Sequence, residues 1–220
     1  MVIHSLTKMT RLILVRHGES LYNLEKRYTG QTDVPLTEKG RKQATLTAKY
    51  VLENYHIDAV YSSDLCRAVD TAKPVAEPLG LEIKTDARLR EIYAGKWQGI
   101  LFAEVREHFK EDYDLYKSDK NKGRTTGGES ALEVRDRVYA AILDIAEKNP
   151  DKTVFIATHN GPLMAIQSPI LNIDINEVKS TSNNSVTEVV YNNGSFEIVK
   201  FDYTEHLGDL VTSFKNKSHN

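Results

Sequence analysis

Apolar residues along this chain fall into two kinds of run. Leu12-Ile13-Leu14-Val15 and Thr153-Val154-Phe155-Ile156-Ala157-Thr158 are continuous and lack helical spacing. Such runs read as strands buried on both faces. Ala59-Val60-Tyr61 is a shorter run of the same kind, and Leu81 to Thr85 follows the Pro78-Leu79-Gly80 break as a fourth. Between them the apolar positions recur at helical spacing. Thr37 caps a helix that carries Ala44, Ala48, Val51, Leu52 and Tyr55 and ends near Asn54. Leu65, Ala68, Val69, Ala72, Val75 and Ala76 line the next, with Ser62-Ser63-Asp64 as the expected cap. Pro74 is expected to kink that helix or end its regular hydrogen bonding. Ser130 caps a longer helix with Leu132, Val138, Ala141, Ile142, Ile145 and Ala146, closed by Asn149-Pro150. Pro162 suits the first turn of a helix through Gln167. Ser185 to Tyr191 and Ser195 to Phe201, joined by Asn192-Asn193-Gly194, read as a hairpin.

This alternation predicts an α/β fold, a three-layer sandwich with a mostly parallel central sheet and helices on both faces. Leu101 to Arg124 is rich in aromatic and charged residues and predicts a helix, followed by a mobile stretch from Lys117 to Gly127. A small cap inserted at about 96–128 over a single domain spanning 1–220 fits that pattern.

Composition narrows the options. The chain has 220 residues, 40% hydrophobic, enough for a sizeable core. A formal net charge of −2 argues against a nucleic-acid partner, which calls for a clustered basic excess. Cys66 is the single cysteine, so no intrachain disulfide forms, in keeping with a reducing compartment. The run Ile13 to Val15 is too short to span a membrane, and Met1 to Thr10 carries no signal-peptide core. The expectation is a soluble cytoplasmic protein without a membrane partner. Met9 is an alternative start, and the tail from Gly208 is polar and expected to fray.

The chemistry lies at strand ends. The first strand stops at Arg16-His17-Gly18, and the late strand stops at His159-Asn160-Gly161. Arg67 sits in the first turn of the helix after the second strand. Parallel strands place these ends on one edge, where open α/β sheets bind ligands. Arg16, His17, Arg67 and His159 can then converge into an anion-selective pocket. Taken alone, each has a plainer alternative: a surface arginine, or a histidine in a turn. Two guanidiniums and two imidazoles around one point suit a phosphoryl group, and one imidazole can attack phosphorus. The departing oxygen needs a proton, for which Glu91 is the candidate. Metal binding by His17, His159 and Glu91 is the rival use, but two adjacent arginines would repel a cation. No cofactor or metal is therefore expected.

Several blocks resemble one family. Leu14-Val15-Arg16-His17-Gly18-Glu19-Ser20, with Asn23 and Tyr28-Thr29-Gly30, is similar to the signature of the histidine phosphatase superfamily, in its phosphoglycerate mutase-like branch. The resemblance continues at Pro35-Leu36-Thr37-Glu38-Lys39-Gly40, Tyr61-Ser62-Ser63-Asp64-Leu65-Cys66-Arg67-Ala68 and Leu89-Arg90-Glu91. Gly127-Gly128-Glu129-Ser130 and Thr158-His159-Asn160-Gly161 complete it, over nearly the whole chain. It implies the family's α/β sandwich with an inserted cap. It implies His17 as the phosphorylated nucleophile, with Arg16, Arg67 and His159 on the phosphoryl oxygens and Asn23 assisting. Glu91 would be the general acid and then the base. Thr29 and Gly30 would lie at the pocket rim, and Asn160 and Gly161 beside the bound oxygens, although Asn160 stands where the family usually carries a small residue.

The segment from Gly99 to Glu129 lacks the adjacent arginines with which the glycolytic mutases of the family bind a carboxylate. Gly95-Lys96-Trp97-Gln98-Gly99 instead resembles the small-molecule phosphatases of the branch. The expected activity is metal-independent hydrolysis of a small phosphorylated metabolite through a phosphohistidine. A cofactor-dependent phosphoglycerate mutase and a non-catalytic phosphate-binding protein stand as alternatives. Oligomeric state stays open, a homodimer included.

Overall fold

A computed structural model describes residues 9–212. The readings on the chain start, the leader and the extreme tail lie outside those residues.

Six strands form one sheet in the order β3-β2-β4-β1-β5-β6. Four of them, β1 (Met9–Arg16), β2 (Ala59–Ser62), β3 (Ile83–Thr85) and β4 (Thr153–Thr158), are mutually parallel. β5 (Val186–Asn192) runs antiparallel to β1, and β6 (Ser195–Tyr203) returns beside β5 through the expected hairpin. β1 pairs with β4 from Arg11↔Thr153 to Arg16↔Thr158, so the two strands end level.

The branched runs explain the layering. Successive side chains of a strand point to opposite faces. Leu12 and Leu14 pack with Val154 and Ile156 against α6 (Ala131–Lys148) and α7 (Asn160–Ala165). Ile13 and Val15 pack with Phe155 and Ala157 against α2 (Glu38–Asn54) and α3 (Cys66–Leu79). A strand with helices on both sides has no polar face, which is why the pattern is continuous rather than alternating. Ser130 caps α6 reciprocally with Glu133, and Thr37 Oγ1 accepts the Gly40 N–H at the start of α2. Two short helices, α1 (Leu21–Leu24) and α8 (Gln167–Leu171), complete the outer layers.

α3 runs through Pro74 to Leu79, with the proline leaving that turn without its N–H donor. The start of that helix and the tail depart from expectation. Leu65 rather than a serine occupies its N-cap position, because Ser63 Oγ turns to His159 while also accepting the Leu65 N–H. The chain after Gly208 is tied down as far as Thr212: Gln43 Nε2 donates to the Leu210 carbonyl (2.7 Å), and Asn183 N–H to that of Thr212 (3.1 Å).

Residues 102–118 form α4 (Phe102–His108) and α5 (Lys110–Ser118), two helices where one was expected. They pack on a separate small core of Ala94, Trp97 and Val105, with Tyr28, Phe109, Tyr113 and Tyr116 around it. The base of this segment closes where the backbones of Gly95 and Gly128 approach. A Cβ on Gly95 would lie 2.3 Å from the Thr126 carbonyl, and one on Gly128 2.1 Å from that of Tyr93. The stretch expected to be mobile makes hydrogen bonds: Lys120 N–H donates to Asn176 Oδ1 (2.7 Å), and Asn121 Nδ2 reaches both oxygens of Asp174. Among the described residues no helix is long and apolar enough to cross a membrane.

Candidate active site

Because β1 and β4 are neighbours and end level, the residues after them meet. The His17 and His159 rings lie edge to face with centroids 5.0 Å apart. Arg16, the last residue of β1, is buried, and its Nη1 donates to the Thr181 carbonyl. Arg67, in the first turn of α3, is wholly buried and donates from Nη1 to Thr32 O and from Nη2 to Gly30 O, both at 2.8 Å. The convergence expected of these four side chains is realised.

Burial and mutual repulsion set their charge states. His17 is held well below the usual imidazole range by burial, then by Arg67 and Arg16. His159 is held well below that range by burial and by Arg67. The Arg16 pKa falls to about 10, from burial against the opposing pull of Glu91 and Asp202. Near neutral pH the site therefore carries two guanidinium charges and two neutral imidazoles.

Hydrogen bonds select tautomers. His17 Nδ1 lies 2.7 Å from the Gly18 carbonyl, which only accepts. The proton therefore sits on Nδ1, and Nε2 carries the free lone pair. His159 Nε2 lies 2.8 Å from Ser63 Oγ, while its Nδ1 is buried without a partner among the described residues.

Glu91 follows a short 3-10 turn, Ala87–Leu89. Its Oε1 accepts the N–H groups of Ile92 (2.8 Å) and Gly161 (2.9 Å). Its charge acts on both Arg16 and Arg67, which places the carboxyl in the same field as the imidazoles. Arg137 on α6 fixes the loop from behind. It donates to the carbonyls of Arg88, Arg90 and Glu91 at 2.7–2.9 Å and pairs with Glu129 through both carboxylate oxygens. Gln31 Nε2 also reaches the Glu91 carbonyl (3.1 Å).

The remaining expected residues divide. Gly30 gives its carbonyl to Arg67 and lies against the Gln98 side chain, and the Thr29 carbonyl closes the same turn on Thr32 N–H. Asn23 Oδ1 accepts from Ser20 N–H (3.1 Å) and from Asn183 Nδ2 (3.2 Å). Asn160 turns its Oδ1 to Ser180 and Thr181, the residue whose carbonyl holds Arg16. Gly161 is the N–H donor to Glu91.

Sequence reasoning missed the frame around these groups. Thr181 to Ser185 are all buried, and Asn183 Nδ2 donates to the His17 carbonyl (3.0 Å). Asp202 receives the Ser182 N–H and contributes negative potential at Arg16. A polar run reads as surface loop in any hydropathy pattern, so nothing local marked it. Glu129 lies in a quoted motif, but its pairing with Arg137 left no trace in spacing.

Beside Glu91 opens a cleft with about 350 Å³ of space, lined by Ile92, Tyr116, Lys120, Met164, Ile175 and Val178 among others. Tyr116 brings α5 of the inserted segment to its wall, and burial and the Glu91 charge push that phenol up to about 12. Among the described residues no group of three or more His, Cys, Asp or Glu could hold a metal ion.

The model of the histidine phosphatase superfamily (branch 1) matches residues 12–204. Phosphoserine phosphatase 1 of Hydrogenobacter thermophilus is 36% identical over 204 residues, covering 92% of this chain and 96% of its own. A metal-independent phosphoserine phosphatase of Arabidopsis thaliana is 37% identical over 165 residues, 73% of this chain and 68% of its own. The solved structure of Bacillus stearothermophilus YhfR superposes with a TM-score of 0.85 at 31% identity, covering 90% of this chain and 99% of that one.

Proposed function

This chain belongs to the histidine phosphatase superfamily, and on that premise we propose that it hydrolyses small phosphomonoesters through a phosphohistidine on His17. The observation that carries the reading is the state of His17. Its ring is neutral, its Nδ1 proton is engaged by the Gly18 carbonyl, and it stands between two buried guanidiniums in the field of Glu91.

The reaction divides between these groups. Arg16, Arg67 and the unpartnered Nδ1 of His159 hold the phosphoryl oxygens, supplying positive potential without a metal ion. Glu91 takes up the proton carried by the monoanionic ester; His17 Nε2 then attacks phosphorus as the ester P–O bond breaks, and Glu91 gives that proton to the departing oxygen. Glu91, now a carboxylate, takes a proton from water as the hydroxide attacks phosphorus. The P–N bond breaks, inorganic phosphate leaves with the proton from Glu91, and both groups return to their starting states. Asn23 and Asn160 act on the frame: one meets Asn183 beneath His17, the other anchors Thr181 beneath Arg16. Residues of the 96–128 segment close the site as a cap, since Tyr116 walls the cleft beside Glu91.

The test is phosphate release from a metabolite panel that includes phosphoserine, with EDTA present, and acid-labile phosphate trapped on the enzyme. The expected result is chelator-insensitive turnover with the label on His17 and none in His17→Ala. Turnover abolished by EDTA, or a label elsewhere, overturns the reading. Interconversion of 2- and 3-phosphoglycerate without phosphate release would identify a mutase instead.

A further inference from the structure

The cleft beside Glu91 has a chemistry of its own. Its lining is mostly apolar: Ile92, Val134, Met164, Ile175 and Val178 contribute no hydrogen-bonding side chain, and Tyr116 brings one phenol. Lys120 is its one charged lining residue. The cleft begins at the proton donor, because Ile92 and Gly161, the two residues whose N–H groups hold Glu91 Oε1, also line it. An ester oxygen at Glu91 therefore directs its carbon substituent into this space.

We infer that this cleft is the leaving-group pocket and that it selects phosphomonoesters with an apolar body ending in a carboxylate, received by Lys120. The inference rests on the phosphatase reading above and gives it a substrate class. The cleft is open to solvent, so the chemistry of its lining rather than its volume bounds the body. Most hydroxyls of a sugar would lie against Ile, Val and Met side chains, with the Tyr116 phenol as the single uncharged side-chain partner, which disfavours them.

Lys120 is placed to finish the recognition. Its backbone N–H donates to Asn176 Oδ1 and its ammonium to the Asn176 carbonyl (3.3 Å), so the residue is anchored where it lines the cleft. One ammonium proton is engaged there, and the others remain for a ligand. Partial burial strips water from the ammonium and lowers its pKa, with Asp174 pulling the other way. A partly dehydrated ammonium gains more from a carboxylate than a solvated one does.

The experiment compares kcat/KM for 3-carboxyphenyl phosphate, phenyl phosphate and glycerol 3-phosphate, in wild type, Lys120→Met and Ala131→Phe. Ala131 lines the cleft at the start of α6 and is only half-buried, so its phenyl substitute fills the space without disturbing the core. The wild type is expected to prefer the carboxylated ring over the plain ring by about tenfold or more, as one partly desolvated charge pair allows. Lys120→Met should bring that ratio to about one, and Ala131→Phe should depress both aryl esters relative to glycerol 3-phosphate. Aryl hydrolysis with no carboxylate preference, or a preference that survives Lys120→Met, overturns the pocket inference and leaves the phosphatase reading standing. If no ester is turned over and acetyl phosphate leaves no acid-labile phosphate on His17 in folded protein, the phosphatase reading itself fails.

Discussion

Gly161 shows how closely single atoms set this site. Its N–H holds Glu91 Oε1 at 2.9 Å, and a Cβ in its place would stand 2.1 Å from that oxygen. Only glycine lets α7 begin so near the carboxyl. Gly161→Ala should leave the fold intact, because the obstructing atom ends a movable side chain. It should lower kcat about a hundredfold, the loss typical of a catalytic group displaced by about 1 Å; steady-state kinetics beside a melting curve checks both halves. Glu91→Gln keeps the two N–H contacts but carries no transferable proton. Alkyl phosphates should lose about 10²–10⁴ in kcat, whereas p-nitrophenyl phosphate, whose leaving group needs little protonation, should lose far less. Equal losses on both would remove Glu91 from the acid role.

At the scale of elements, the strand ends do the gathering and the loops do the aiming. β1 and β4 bring His17 and His159 together because they are adjacent and in register. The Glu91 loop has no such support, and Arg137 supplies it from α6 with three carbonyl contacts and the Glu129 pair. The Arg137 and Glu129 side chains are only 19% and 22% exposed. Arg137→Met removes the side-chain donor from the Arg88 and Arg90 carbonyls and leaves the Glu91 carbonyl to Gln31 and the Glu129 carboxylate to the Tyr93 N–H, and should destabilise the protein by about 1–3 kcal/mol. Because Glu91 is then free to wander, kcat should fall more than the affinity for inorganic phosphate. Urea unfolding and product inhibition by phosphate measure the two effects. Unchanged kcat with lost stability would mean that the network serves only the fold.

The whole molecule carries the electrostatic consequence of burying two imidazoles between guanidiniums. His17 and His159 both have native pKa values well below 6.5. Below about pH 6.5 the unfolded chain binds protons that the native state refuses, so stability is full at neutral pH and falls as pH drops. Each group contributes up to about 1.4 kcal/mol per pH unit over that window. Stability measured from pH 7.5 to 5.0 should decline on the acid side, and His159→Asn should flatten the slope. A slope unchanged by that substitution would show that other groups drive the decline. The acid limb of activity should lie below pH 6.5 for the same reason: His17 stays neutral, and so nucleophilic, to a lower pH than a solvated histidine.

The sequence alone determined the layered sheet and the edge on which the candidate site lies. Leu12 to Val15 and Thr153 to Thr158 are continuous apolar runs because each strand is covered on both faces. The abrupt change to Arg16-His17-Gly18 and His159-Asn160-Gly161 marks their carboxyl ends. Those are local signals, written in neighbouring residues. Tertiary structure decided what required distant partners. The buried run Thr181 to Ser185 looks like surface loop until His17 and Arg16 are laid against it, some 165 positions away. Ser63 reads as a helix cap until His159 reaches it, and nothing near Asn160 in the sequence announces that its oxygen meets Thr181. Pro74 marks a missing N–H donor, and how far α3 runs beyond it, to Leu79, is set by the packing of Ala68, Ala72, Val75 and Ala76 against the sheet. Periodicity records which face of an element is buried. It carries no record of which polar group, far along the chain, satisfies another, and in this protein those pairings hold the side chains of the candidate site.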